Sequence, residues 1–368
     1  MGFYFLITIC FSTICICGNS KYIKINSLVA FRFISLVLIL LGGLRWFTGT
    51  DWIPYQWYFE GNYDWASFNK NGFEKGFAFL NFFIKHISES YTFFLLIFHA
   101  LVIIPKICFL QKNSVYPLFS LFLYWLFYCG DIFAVRQMLG VSLLIISIPY
   151  ISNKNIKPFL LLTILATLVH RACFFWILAY HIYHLMFSKR KWAFILFLSF
   201  CAMIISPYVL PKIVHIIFSP LGAYGTVFEK ILFYTDEYTE PMSTPLKLIF
   251  SLIKRFMILP LFLLSFNKLV SISKYNRGML NLFFAGNVFY LLCFLTLQQF
   301  SRLLVPFLFF EVILIPSYLK TIRTKCGKEL FIIFILLYAF IKFYFYLSQF
   351  NEVLIPYYSI FGYQNRFI

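Results

Sequence analysis

LVLILLGGLRWFTGTDWIPYQWYFE, residues 36–60, passes from an unbroken apolar run into an Arg, a Gly-Thr turn, an Asp and a cluster of Trp and Tyr. That change of character is what a chain shows where it leaves hydrocarbon for a polar surface. The whole composition agrees: 62% of residues are hydrophobic, 12% are charged and the mean hydropathy is +0.84, which excludes a soluble globule. The chain reads as an all-α, polytopic membrane protein.

Working outward from residue 36, apolar runs suited to crossing a hydrocarbon core, which takes about 20 residues, recur along the chain. They lie at 3–17, 28–46, 91–110, 115–130, 134–151, 156–169, 172–187, 192–210, 246–266, 279–297, 301–319 and 329–348, giving about 12 transmembrane helices. No linker or repeat interrupts them, so a single transmembrane domain over residues 1–368 is expected. The first run has no basic residue before it and no small-residue cleavage pattern, so it reads as an uncleaved helix with its N-terminus outside. The cysteines fall mostly inside apolar runs, with no Cys-x-x-Cys pair, so neither a disulfide framework nor a metal site is expected.

The net charge of +18 is explained by topology rather than by nucleic acid, which is not an expected partner. Lys and Arg collect in alternate short loops, among them Lys154 and Lys157, the Lys189 to Lys191 run, and Arg323, Lys325 and Lys328. The positive-inside rule makes those loops cytoplasmic. All the acids except Glu311 and Glu329 fall in or beside the intervening loops. Two segments outside the cytoplasm, about 47–90 and 211–245, are too long for simple turns and carry most of the polar chemistry. In the first, Phe73, Phe77, Leu80, Ile84 and Ile87 recur at helical spacing opposite Glu74, Asn81, Lys85 and Ser88, which predicts an interfacial helix. The second holds YTDEYTEP, residues 234–241, whose Asp236, Glu237 and Glu240 read as a solvated loop or as candidate carboxylate bases.

Four cations sit at the expected external boundary: Arg45, Arg136, Arg171 and Arg302. An isolated Arg there can simply snorkel, but several converging on one outward-facing site would match the oxygens of a phosphate or pyrophosphate through the bidentate guanidinium fork. Lys254 and Arg255 lie inside a predicted span, where a cation is costly and normally serves a cavity or ligand. Gly49-Thr50 allows a turn that returns Asp51 toward Arg45. His170 sits at the expected external turn between two short apolar halves; it is either structural or, beside the anion-holding Arg171, a general base. Trp52, Tyr55 and Trp57 form either part of an aromatic belt at the headgroup level or a platform for sugar rings. Asp51 and Glu74 are further candidate catalytic carboxylates.

LRWFTGTDWIPYQWYFE, then EKGFAFLN, RQMLG, HRACFF, SRLLVPFLFFEVILIPS and the terminal LIPYYSIFG together resemble, in order and spacing, the EpsG-like branch of Wzy-type polysaccharide polymerases. Trp52 stands where that branch often carries Tyr, Gly140 where Ala is common, and Ala172 where Ser is frequent. The resemblance implies a bacterial inner-membrane glycosyltransferase on a helical scaffold like that of the lipid-dependent (GT-C-like) glycosyltransferases. Its implied reaction joins undecaprenyl-pyrophosphate-linked oligosaccharide repeat units into a long polysaccharide, such as O-antigen or exopolysaccharide, at the periplasmic face. Membrane lipids, a chain-length regulator and a flippase of the same pathway are the implied partners, and no cofactor is required. Arg45, Arg136, Arg171 and Arg302 would then face the pyrophosphate, Trp52, Tyr55 and Trp57 the glycan. His170, Asp51 and Glu74 would be the catalytic candidates, with His170 the preferred proton acceptor. The alternatives are a flippase for the same lipid-linked glycan, a ligase or another lipid-linked glycosyltransferase.

Overall fold

The computed structural model describes residues 1–19, 26–70, 72–133, 136–218, 252–253, 255–294 and 302–362; among them every regular element is a helix. Asp236, Glu237, Glu240 and Lys254 lie outside the described residues. The helices are α1 (Gly2–Asn19), α2 (Ser27–Gly43), α3 (Trp52–Glu60), α4 (Trp65–Lys70), α5 (Lys75–Ile87), α6 (Tyr91–Asn113), α7 (Pro117–Phe127) and α8 (Gly130–Phe133). They continue as α9 (Arg136–Ile145), α10 (Ile148–Ser152), α11 (Ile156–Val169), a 3-10 helix (Arg171–Trp176), α12 (Ile177–Tyr183) and α13 (Lys189–Phe218). After these come α14 (Leu259–Leu264), α15 (Phe266–Val270), α16 (Asn276–Cys293), α17 (Val305–Leu308), α18 (Glu311–Thr321), α19 (Lys325–Gln349) and α20 (Asn351–Leu354).

Local chemistry sets several of these starts. Asn26, Ser90 and Thr324 each accept a hydrogen bond from a backbone N–H of the first turn of α2, α6 and α19, satisfying donors that a helix N-terminus leaves unpaired. Among the described residues three helical stretches are long and apolar enough to cross a membrane: Tyr91–Asn113, Arg302–Thr321 and Lys325–Gln349. Shorter apolar helices occupy Gly2–Cys17, Ser27–Gly43, Pro117–Phe127, Arg136–Ser152 and Ile156–Val169. The run expected over 134–151 breaks at Ser147, whose hydroxyl donates to Leu144 O (2.6 Å) and accepts from Trp176 Nε1 (2.9 Å). A side-chain hydroxyl engaged with its own helix in this way favours a bend over a straight continuation. At the other extreme α13 runs on to Phe218, so residues 211–218, expected in a loop, are helical although Pro207 and Pro211 lie within the helix.

The chain packs as two compact units even though no linker divides the sequence: Met1–Ile177 with Ile315–Ile368, and Leu178–Leu314. In the first, α2 lies along α6, α6 along α9, and α9 along α11. α1 is tied to α7 by Trp125, which donates from Nε1 to Thr8 Oγ1 at 2.8 Å. In the second, α13 lies along α16, and Asn281 joins three segments. It accepts from Trp192 Nε1 (3.0 Å) and donates to Tyr183 O (3.1 Å) and Leu185 O (2.7 Å). Arg255 belongs to this unit, its guanidinium 4.2 Å from the centre of the Tyr290 ring.

Two expectations are corrected inside the first unit. Asp131, grouped by sequence with the external loop acids, is buried, and its Oδ2 accepts from Lys106 Nζ (2.6 Å) and Tyr124 OH (3.2 Å). A carboxylate can leave water here because a fully buried ammonium from α6 meets it. In α5, Phe77 and Ile84 are buried as the spacing indicates, but Asn81 and Lys85 are buried beside them, while Phe79, Phe83 and Ile87 are exposed. The reason is that Lys85 Nζ donates to Phe59 O (2.7 Å) and Glu60 O (2.8 Å), neutralising the carbonyl end of α3. An apolar stripe is therefore left outward, the orientation suited to a lipid environment.

Candidate active site

The Arg45 loop is built by the far end of the chain. Trp46 N donates to Tyr358 O (2.9 Å), Ile360 N to Leu44 O (2.9 Å) and Gly49 N to Val353 O (2.8 Å), with an antiparallel bridge between Arg45 and Ser359. The LIPYYSIFG block and the LRWFTGTD block are thus one structural feature. Gly49 makes the turn at φ +110°, and a Cβ there would lie 2.7 Å from Arg45 Nη1, so both backbone and space call for glycine. The Arg45 guanidinium is 1% exposed and donates from Nη1 to Phe133 O, while its Nε and Nη2 have no partner among the described residues. It has no open face in this structure. Asp51, which is exposed, lies within its electrostatic field.

Glu74 brings together Arg136 and Arg171. It precedes α5, and its Oε2 accepts from Arg136 Nη1, at the start of α9, while its Oε1 accepts from the backbone N–H of Arg171 at 3.2 Å. Side-chain exposure of 21% for Arg136 and 11% for Glu74 places the pair in a partly shielded rim, where a charge-assisted bond is stronger than in open water. Arg136 also stacks on Phe73, its guanidinium carbon 4.8 Å from the ring centre. The Tyr55 phenol adjoins the pair: burial pushes it upward, opposed by the charge of and a hydrogen bond to Arg136. Both Glu74 oxygens are thus engaged, and the side chain clasps Arg136 to the Arg171 backbone.

His170 lies beside Gly140, one helical turn along α9 from Arg136: a Cβ on Gly140 would be 3.8 Å from His170 Cβ. The same Cβ would come within 2.4 Å of Cys173 Sγ. Gly140→Ala is therefore expected to cost about 1 to 3 kcal/mol unless the thiol is removed. Thermal unfolding of purified Gly140→Ala and Gly140→Ala/Cys173→Ala proteins checks this: the first should melt lower and the second recover.

The aromatic candidates separate. Trp52 is buried, its ring packed against Trp46 (4.8 Å), Phe47 (4.5 Å) and Tyr91 (5.4 Å), and so has no face open to a sugar in this structure. Tyr55 is buried too, and its role lies in its contact with Arg136; Trp57, 71% exposed, does present a face. Arg302 belongs to the second unit, where its side chain is exposed. Sequence reading missed Lys106, whose signal was a lysine inside an apolar run, and the docking of the C-terminus, for which no local signal exists.

Arg136, the Glu74 carboxylate and the His170-Arg171 turn are thus gathered where helices α5, α9 and α11 begin or end. The EpsG family model matches residues 28–365, and the chain belongs to the EpsG family. Membership carries a polysaccharide-polymerase type of role, of glycosyltransferase-like character, in a membrane. No curated protein and no solved structure matches the chain.

Proposed function

We propose that this protein joins undecaprenyl-pyrophosphate-linked oligosaccharide repeat units into polysaccharide at the periplasmic face of the inner membrane, on a scaffold of the kind used by lipid-dependent glycosyltransferases. The observation that carries the reading is the Glu74 clasp in an EpsG-family chain, which holds Arg136 and the His170-Arg171 turn as one group. In the reaction the anomeric C–O bond to pyrophosphate breaks and the acceptor hydroxyl oxygen forms the new glycosidic bond. Negative charge then grows on the departing lipid pyrophosphate, where Arg136 and the exposed Arg171 side chain stabilise it. His170 takes the hydroxyl proton, the task for which imidazole is suited near neutral pH. Arg45, buried behind Gly49, fixes the Phe133 carbonyl at the end of α8 and adds a positive field. Asp51 orients sugar hydroxyls, and Trp57 offers the stacking face.

Purified protein in nanodiscs with lipid-linked repeat units tests this: a ladder of polymer and release of undecaprenyl pyrophosphate are expected. A deletion strain that exports no glycan at all, instead of single repeats, would point to a flippase. His170→Gln should abolish most turnover together with the fall in rate on acidification; near-normal turnover with the same acid limb would move the base to Asp51 or Glu74. The proposed orientation also predicts that Cys326, which is exposed, resists membrane-impermeant thiol reagents in intact spheroplasts while Ala66→Cys reacts. The opposite pattern inverts the topology.

A further inference from the structure

The helix that begins after Glu74 ends at a second feature. Just beyond the C-terminal turn of α5 is a cleft of about 300 Å³, lined by Tyr63, Lys85, His86, Ile87, Ser88 and Glu89. Its volume is at the lower end of what small-molecule sites use. The Tyr63 ring is 70% exposed, and Lys85 Nζ sits 4.0 Å from its centre, so the cation supports the ring and leaves the rest of it open. Lys85 itself is committed to the Phe59 and Glu60 carbonyls. His86 is tied through Nδ1 to Phe82 O (2.8 Å), which directs its second ring nitrogen away from the helix, and the Glu89 carboxylate and Ser88 hydroxyl complete a polar wall.

The chemistry of that wall selects a neutral polyol. An anion would meet Glu89, and a cation would meet Lys85; a sugar ring can lay its C–H face on Tyr63 while its hydroxyls donate to the Glu89 carboxylate and share bonds with Ser88 and His86. α5 spans Lys75–Ile87, so its two ends are about 18 Å apart at the helical rise, and the cleft stands that far from the Glu74–Arg136 clasp. Lys85 also fixes the C-terminal end of α3, so cleft and clasp are held on one rigid element. We infer that the Tyr63–Glu89 cleft is a saccharide-binding site that holds glycan remote from the reacting end. The inference rests on the polymerase reading above for the source of the saccharide.

The probe is the pyrophosphate-free oligosaccharide released by mild acid from the lipid-linked repeat unit, titrated against the full-length protein in nanodiscs by saturation-transfer NMR. Saturable binding is expected for the native protein. Tyr63→Ala and Glu89→Gln, both at exposed positions, should each weaken it about tenfold, and Arg136→Lys should leave it essentially intact. The proposal is overturned if Tyr63→Ala and Glu89→Gln bind like the native protein, if Arg136→Lys removes binding, or if the native protein shows none. A protein that polymerises lipid-linked repeats but fails these titrations loses the cleft and keeps the function. One that binds the oligosaccharide through Tyr63 yet makes no polymer keeps the cleft and loses the function.

Discussion

Lys106→Met should destabilise the protein by about 3 to 5 kcal/mol, because it leaves the Asp131 carboxylate buried with no cation. Lys106 is fully buried on α6, and its ammonium is 2.6 Å from Asp131 Oδ2. Asp131 lies in α8, whose Phe133 carbonyl is held by Arg45, and the chain reaches Arg136 shortly after. Breaking the pair therefore loosens α8 as well as the core. Lys106→Met/Asp131→Leu removes both charges and should recover most of the stability, since replacing a whole buried pair by apolar side chains is often close to neutral. Thermal unfolding in detergent measures this, and a double variant no more stable than the single would show that the pair is not the cause. If the pair also positions Arg136, the double variant recovers melting temperature more fully than turnover.

The second large effect is expected at the clasp. Arg136→Lys keeps the charge but loses the planar fork and its stacking on Phe73, and should slow polymerisation roughly 10- to 100-fold with normal folding. Glu74→Gln should produce a loss of similar size by a different route. Its amide can still accept from the Arg171 N–H, but the charge that holds Arg136 is gone. The distinction lies in the pH profile of turnover by purified protein. Glu74→Gln should retain the acid limb that His170→Gln abolishes; loss of that limb in Glu74→Gln would make Glu74 the base after all. Full activity in Arg136→Lys would reduce Arg136 to a structural ion-pair partner.

Most of the helices, and the residues worth suspecting, were legible along the sequence. Long apolar runs gave α2, α6, α11 and α19 because a backbone in hydrocarbon must satisfy its own hydrogen bonds, which makes composition alone decisive there. The break at His170 and the turn at Gly49 were legible too, through short runs and a glycine whose φ of +110° only that residue adopts easily. Arg45, Asp51, Glu74, Arg136, Arg171 and His170 stood out because charge inside such a chain is costly and so informative.

Which of those groups touch, and which way they face, belonged to the tertiary structure. Hydrophobic periodicity treats polar as outward, but Lys85 turns inward because the carbonyl end of α3 needs a cation, and Asn81, one turn earlier on the same face, is buried with its amide on Phe77 O. Asp131 reads as a loop acid until Lys106, far away in sequence, is folded against it. Trp52 and Trp57 are equivalent as letters; only packing buries the first and exposes the second. Arg45 likewise moves from the face of the site to its interior because residues 353–360 close over its loop through backbone hydrogen bonds, which no side-chain pattern encodes. Sequence fixed the cost of each charge, and the long-range contacts of the folded chain decided what each charge meets.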